Sequence, residues 1–299
     1  MLSRLLTRFG RFLFESIDAR RLRRMKLDVS DLSVQVDIPY IPDGTPEHLL
    51  DIYRPDGVNG DLPVIINIHG GGLFASYKTV NKPFNYEWAR MGYAVVSLSY
   101  RRLPDTTLIH QIADVMDALR FISDHRQQYN LNLNRCYLTG DSAGALLALF
   151  ALAIEGSTDL QQTFGLQPSG ISFRAAALIS IMLDTSRRDM LAFLKHVIAT
   201  PKEKRQPYSP YIFNPGSMIS LTHLPPLFSV TSAEDIIRND TLKFDSLLTA
   251  AGADHRLLDF PKGTHTRLGH VFSVLYPLLP ESRQVYAAID AFFRSDVAN

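Results

Sequence analysis

Ser142 stands in Gly140-Asp141-Ser142-Ala143-Gly144, between a short strand-like run, Cys136 to Thr139, and a helix-forming run, Leu146 to Ala151. A G-x-S-x-G at a strand-to-helix junction reads as a nucleophile elbow. Its turn is so tight that the residues two before and two after the serine have to be glycine-sized, and the hydroxyl is left exposed above the sheet edge. Upstream, the apolar run Leu62 to Ile68 leads straight into His69-Gly70-Gly71-Gly72. Consecutive glycines let backbone N–H groups approach a site that any Cβ would obstruct. Donors placed in that way suit a position where negative charge develops during a reaction. A phosphate loop would need a Gly-Lys-Ser/Thr, and none follows.

A serine hydroxyl is a weak nucleophile until a base takes its proton, and the base needs an acid to orient it. After an elbow of this kind the chain order is serine, acid, histidine, the last two in loops that follow late strands. The strand-like run Leu227 to Thr231 is followed by Ser232-Ala233-Glu234-Asp235. Asp235 is the candidate acid. Glu234 is its neighbour and rival, and Asp240 falls in what reads as the first turn of a helix, a common place for acids. Beyond the last strand, Leu257 to Phe260, two histidines compete for the base, His265 and His270. The residues after His270, Pro277 to Glu281 and a closing helix, favour it.

The elements that would position these groups alternate along the chain. Leu32 to Ile38 and Leu49 to Tyr53 read as an antiparallel opening pair. Val64 to Ile68, Ala94 to Tyr100, Cys136 to Thr139, Ala175 to Ile181, Leu227 to Thr231 and Arg256 to Phe260 read as further strands. Runs as apolar as Val64 to Ile68 fit strands covered on both faces. Helices are expected near Pro83 to Arg90, on the stripe Ile112, Val115, Met116, Leu119, Phe121 and Ile122, after the elbow, at Thr241 to Ala251 before Gly252, and at Ser282 to Phe293. Such alternation predicts an α/β fold with a mostly parallel central sheet, helices on both faces and a small helical cap. About forty residues between Leu183 and Leu227 exceed an ordinary connection. Met190, Leu191, Leu194, Val197 and Ile198 suggest an amphipathic helix within it, and the segment reads as a lid.

At 299 residues, with 46% hydrophobic and 20% charged residues, the chain has the composition of a globular protein. The whole is read as a single domain, 1–299. A net charge of +1 gives no general field for nucleic acid. The single cysteine, Cys136, cannot form an internal disulfide and reads as a small buried hydrophobe. Metal-ligand spacings such as H-E-x-x-H are absent from the sequence, and neither a metal nor an organic cofactor is expected. No apolar run reaches the length of a membrane span and no signal peptide is recognisable, so a cytoplasmic location is expected.

Charge is concentrated at one end. Residues 1–26 hold eight arginines and lysines against Glu15 and Asp18, net +6, while the whole chain carries +1. Leu2, Leu5, Leu6, Phe9, Phe12, Leu13 and Ile17 fall on one helical face, with Arg4, Arg8 and Arg11 opposite. Three readings stand. The apolar stripe packs inward over the catalytic body as part of a cap, the favoured one; or the helix lies on an anionic membrane surface; or it is a targeting presequence.

With these motifs in place, the chain resembles the hormone-sensitive-lipase-like, or family IV, esterases of the α/β-hydrolase superfamily over roughly residues 45–295. The resemblance rests on Tyr53-Arg54-Pro55, His69-Gly70-Gly71-Gly72, Tyr100-Arg101-Arg102-Leu103-Pro104-Asp105, Gly140-Asp141-Ser142-Ala143-Gly144, Ser209-Pro210, Leu224-Pro225-Pro226, Glu234-Asp235 and His270-Val271-Phe272. It implies Ser142 as nucleophile, Asp235 as acid and His270 as base. The N–H groups of Gly71, Gly72 and Ala143 would form the oxyanion hole, and Asp141 would hold neighbouring loops. It also implies a cap built from residues 1–30 and 185–222. The substrate would be a small-molecule ester of short to medium acyl chain, with amides, lactones and thioesters as alternatives on the same machinery; a non-catalytic binding module on this scaffold is the rival from another class. Three departures stand out: Ala145 after the elbow, Leu73-Phe74-Ala75-Ser76 after the glycines, and Val271, each lacking a glycine the family has there.

Overall fold

The computed structural model describes residues 2–58, 60–186, 192–263 and 266–295. In chain order its elements are α1 (Leu2–Met25), β1 (Leu32–Pro39), β2 (Leu49–Pro55), β3 (Pro63–Ile68), α2 (Lys82–Arg90), β4 (Ala94–Leu98), α3 (Leu108–Asp124), β5 (Asn132–Asp141), α4 (Ala143–Glu155), α5 (Thr158–Phe164) and β6 (Phe173–Ile179). They continue with α6 (Ser209–Phe213), β7 (Leu227–Ser232), α7 (Arg238–Ala250), β8 (His255–Phe260), α8 (Phe272–Leu275) and α9 (Pro280–Ser295).

Among the described residues the strands form one eight-stranded sheet in the order β1-β2-β4-β3-β5-β6-β7-β8. β2 pairs antiparallel with both β1 and β4, and every later pairing is parallel. Parallel strands need crossover connections, so helices must cover both faces. Val64, Ile66 and Ile68 of β3 point into an apolar cluster with α3 and α4, while Ile65 points into the opposite cluster with α2 and α9. That alternation is the two-residue period of a strand with two buried faces. α4 is buried from Ala143 to Ile154, which is why it is apolar all round. Cys136 lies fully buried in β5, as its setting in the sequence implied, and desolvation raises its thiol pKa. This is the α/β-hydrolase architecture.

The long segment before β7 folds differently from its expected amphipathic helix. Met190 and Leu191 lie outside the described residues. Leu194 sits in a 3-10 turn, Ala192–His196, and further 3-10 turns occupy Glu203–Arg205 and Pro215–Leu221 around α6. Prolines at the starts of α6 and of the last turn divide the segment into short pieces. It is tied down all the same: Ile198 O accepts the Leu108 N–H at 2.9 Å, and Thr107 Oγ1 donates to Glu203 at 2.6 Å.

α1 corrects the sequence expectation most sharply. Its apolar stripe was expected to face inward, yet Leu2, Leu5, Leu6, Phe9, Phe12, Leu13 and Ile17 are all exposed, Phe9 by 62% and Phe12 by 66%. The polar face is the docked one. Arg11 Nε donates to Phe74 O at 2.8 Å, and its other nitrogens reach Leu103 O and the Asp105 carboxylate. Ser76 Oγ donates to Asp18 at 2.8 Å, Glu15 pairs with Arg102, and Arg21 donates to Val80 O at 3.0 Å and Leu275 O at 2.9 Å. These carbonyls lie outside the sheet ladder, and a guanidinium with five donors satisfies several of them at once. Phe14, though partly exposed, lies edge-on to Phe74 with centroids 5.4 Å apart. Among the described residues no single helix is long and apolar enough to cross a membrane.

Candidate active site

Ser142 sits between the end of β5 and the first residue of α4, with φ 52° and ψ −116°. A left-handed φ is uncommon for a non-glycine residue, so the neighbours must hold it there. The turn leaves no room beside it. A Cβ on Gly140 would lie 2.6 Å from Gly144 O, and one on Gly144 would lie 2.1 Å from Ile68 O. The serine backbone is pinned from both sides: its N–H donates to Ile179 O at 2.8 Å, and its carbonyl accepts from Met182 N at 3.2 Å.

Two loops at the same end of the sheet reach this hydroxyl. His270, between β8 and α8, lies with Nε2 2.9 Å from Ser142 Oγ and Nδ1 2.8 Å from Asp235 Oδ1. Asp235 follows β7 and is buried. Burial alone would raise its pKa, but the hydrogen bond and charge of His270, the Ser180 hydroxyl and the Ile237 N–H outweigh it and hold the carboxyl below its ordinary range. An imidazole that donates from Nδ1 to a carboxylate presents Nε2 as an acceptor, the tautomer that can take a hydroxyl proton. The structure therefore brings Ser142, His270 and Asp235 into one hydrogen-bonded line.

The competing acids do other things. Glu234 accepts from Leu268 N at 3.0 Å and Gly263 N at 3.2 Å, tying down the loop that carries His270. Asp240 occupies the first turn of α7 and accepts from Asp184 N at 2.9 Å. His265 lies outside the described residues.

The glycine loop faces the elbow. Gly70 N donates to Asp141 Oδ1 at 3.0 Å, and Asn81 Nδ2 donates to the same oxygen at 2.7 Å. Desolvation raises the Asp141 carboxyl to about 6, against the partial relief of Asn81 and Gly70. Gly71 has φ 121° and Gly72 φ 61°, conformations that favour glycine. A Cβ on Gly71 would also come within 2.1 Å of Ala75 O. Ala143, as the first residue of α4, has an N–H with no intrahelical acceptor. Where glycines are missing from this chain, the backbone still turns left-handed: Leu73 has φ 70°, Ser76 φ 71° and Val271 φ 50°. The bonds of Phe74 N and Ala75 N to Gly71 O, at 3.1 and 2.9 Å, close that loop, and α1 clasps it from outside through Arg11 and Asp18.

Two supporting residues escaped the sequence reading. Asn81 shares the Asp141 carboxylate, and Ser180, with φ 51°, contacts Asp235 and accepts from Val271 N at 3.4 Å. Ser180's place just past the end of β6, on the side of the sheet where loops gather around ligands, was the available signal. Asn81 carried none.

Comparison with known proteins places this geometry in context. Residues 50–207 match the family model described as BD-FAE. Esterase LipQ of Mycobacterium tuberculosis is 31% identical over 229 residues, covering 73% of this chain and 53% of LipQ. Isoprenylcysteine alpha-carbonyl methylesterase ICME of Arabidopsis thaliana is 26% identical, covering 75% of this chain and 55% of its own length. The chain thus spans about half the length of these curated relatives. Among solved structures, esterase B of Lactobacillus rhamnosis inhibited by a C6-C4 SN3 compound superposes with a TM-score of 0.92 at 25% identity, covering 100% of this chain and 97% of that one. The same esterase has also been solved with a C4-C4 SN3 tributyrin phosphonate, at a TM-score of 0.89.

Proposed function

The chain belongs to the BD-FAE family, among the hormone-sensitive-lipase-like (family IV) esterases of the α/β-hydrolase superfamily, and on that footing we propose that it hydrolyses carboxylic esters of short to medium acyl chain. The observation that carries the reading is the continuous line from Ser142 Oγ to His270 Nε2 at 2.9 Å and from His270 Nδ1 to Asp235 at 2.8 Å.

In the acylation half, Ser142 Oγ attacks the ester carbonyl carbon while its proton passes to His270 Nε2. The imidazolium so formed is stabilised by the Asp235 carboxylate, which stays ionised throughout. Negative charge gathers on the former carbonyl oxygen, where the N–H groups of Gly71, Gly72 and Ala143 receive it. Loss of one such donor raises the barrier by about 3 kcal/mol. His270 then gives its proton to the departing alcohol. In the second half it takes a proton from water, the hydroxide carbon bond forms at the acyl carbonyl, and Ser142 leaves with its proton restored.

Residues 1–30, through the docked polar face of α1, and residues 185–222 act together as the cap of this site. Support comes from α1 lying on the Phe74 to Ser76 loop and running beside the Ala192–His196 turn. The tributyrin phosphonate held by the Lactobacillus esterase supports short acyl chains for this relative as well. The test is a series of p-nitrophenyl esters of rising chain length. We expect kcat/KM to be highest for short to medium chains, and Ser142→Ala to lose about 10⁴-fold or more with its fold intact. A Ser142→Ala protein that keeps about a tenth of wild-type turnover would remove Ser142 as the nucleophile.

A further inference from the structure

We propose that the outward face of α1 is a docking surface for an anionic lipid–water interface. The starting observation is a contiguous apolar stripe that the described residues leave uncovered: Leu2 is 70% exposed, Phe9 62%, Phe12 66% and Ile17 65%, with Leu5, Leu6 and Leu13 between them. Folded chains seldom leave so many large apolar side chains together in water. The helix does not need that face to hold its place, because Arg11, Glu15, Asp18 and Arg21 anchor the opposite one.

The charge pattern selects the occupant. Arg20 follows Ile17 by three residues and Arg24 follows Arg20 by four, and Arg23 follows Phe12 on the same side, so the stripe runs directly into a basic patch. Arg8, nearer the N-terminus, belongs to the docked side, where it pairs with Asp105 at 2.7 Å. The two acids of the segment are both turned inward, Glu15 to Arg102 and Asp18 to Ser76. Among the described residues no carboxylate pairs with Arg4, Arg20, Arg23 or Arg24, and all four are exposed. What faces outward is therefore apolar and positive only. An amphipathic helix of this composition lies in the plane of an interface, with its apolar face among acyl chains and its cations at anionic headgroups.

A second copy of the chain fits that face less well. Parallel pairing of two α1 helices would set the arginine patches against each other. Antiparallel pairing would bury Arg20, Arg23 and Arg24 on Phe9 and Leu6, where nothing would neutralise them. A lipid surface satisfies both halves of the face at once. It would also hold the glycine loop beneath α1 about one helix diameter, ~10 Å, from the interface.

The test uses the full chain, wild type and Ser142→Ala, with sedimentation on vesicles of phosphatidylcholine alone and of phosphatidylcholine with phosphatidylglycerol. Both proteins should partition onto the phosphatidylglycerol vesicles and not onto phosphatidylcholine alone, whatever the fate of the hydrolytic reading. The paired change Phe9→Ser with Phe12→Ser, and separately Arg20→Glu with Arg23→Glu and Arg24→Glu, should each abolish binding. Single arginine removals should weaken it about fivefold apiece. Hydrolysis of a water-soluble ester should stay at the wild-type level in all of them, because these side chains are exposed on the side of α1 away from the face that Arg11, Asp18 and Arg21 dock. Wild type that stays in the supernatant of both vesicle types, or binding indifferent to the variants, overturns the proposal. So does a dimer in sedimentation velocity that the Phe9→Ser, Phe12→Ser protein dissociates, since the face would then belong to a second copy.

Discussion

Replacing Gly144 by alanine adds one methyl group, and the structure gives the consequence of that methyl in detail. Its carbon would lie 2.1 Å from Ile68 O and 2.5 Å from His69 O, both backbone atoms of β3 and the residue after it. Carbon and carbonyl oxygen normally approach no closer than about 3.3 Å, so the start of α4 and the end of β3 have to part by roughly 1.2 Å. Overpacking of this kind lowers stability by about 1–3 kcal/mol. The larger effect is on chemistry. Gly144 is two residues from Ser142, whose Oγ is 2.9 Å from His270 Nε2, so the same displacement opens that contact. A misplacement of about 1 Å reduces turnover on the order of 100-fold. Urea unfolding and p-nitrophenyl acetate hydrolysis, measured side by side, separate the two effects. Gly60→Ala is the control, because nothing lies within 4 Å of a Cβ there. Gly144→Ala with unchanged stability and kcat within about twofold of wild type would show instead that the elbow tolerates a side chain.

Asp235→Asn should lower kcat by about 10⁴-fold with KM little changed, because an amide beside Nδ1 permits the wrong imidazole tautomer; steady-state kinetics on one soluble ester decides it. Asp141 gives a pH prediction. Its folded-state pKa of about 6 lies above the ordinary 3.8, so between those values the folded chain holds a proton that the unfolded chain has released. Stability from this group is therefore full below pH ~4 and lost as pH rises through ~6, by up to about 3 kcal/mol. Urea unfolding of wild type and Asp141→Asn across that window should show wild type losing ground as pH rises, and a constant difference would contradict the assignment.

The groups nearest the chemistry were the most legible in the sequence, for a physical reason. Gly140, Gly144 and Gly71 each face a backbone oxygen that a Cβ would strike, so the residue type itself records the geometry. Strands such as β3 and β7 were legible because burial on both faces leaves a plain apolar run. Order in the sheet was not, since placing β4 between β2 and β3 depends on pairings that no local pattern encodes. α1 shows the limit of amphipathicity as a guide. Hydrophobic periodicity located the helix but gave its orientation backwards, because loop carbonyls of Phe74, Leu103 and Val80 took the arginine face instead. The segment before β7 misled in a related way: Leu194, Val197 and Ile198 are indeed buried, but a 3-10 turn and the stretch after it bury them without an α-helix.

If the chain is an esterase of the kind proposed, Ser142 Oγ becomes acylated by its ester. Intact-mass and peptide mass spectrometry after incubation with a fluorophosphonate tests it most directly. One adduct per chain is expected, located on the peptide containing Ser142, absent from Ser142→Ala and strongly slowed in His270→Ala. A chain that stays unlabelled while folded, or one labelled at another residue, would contradict it.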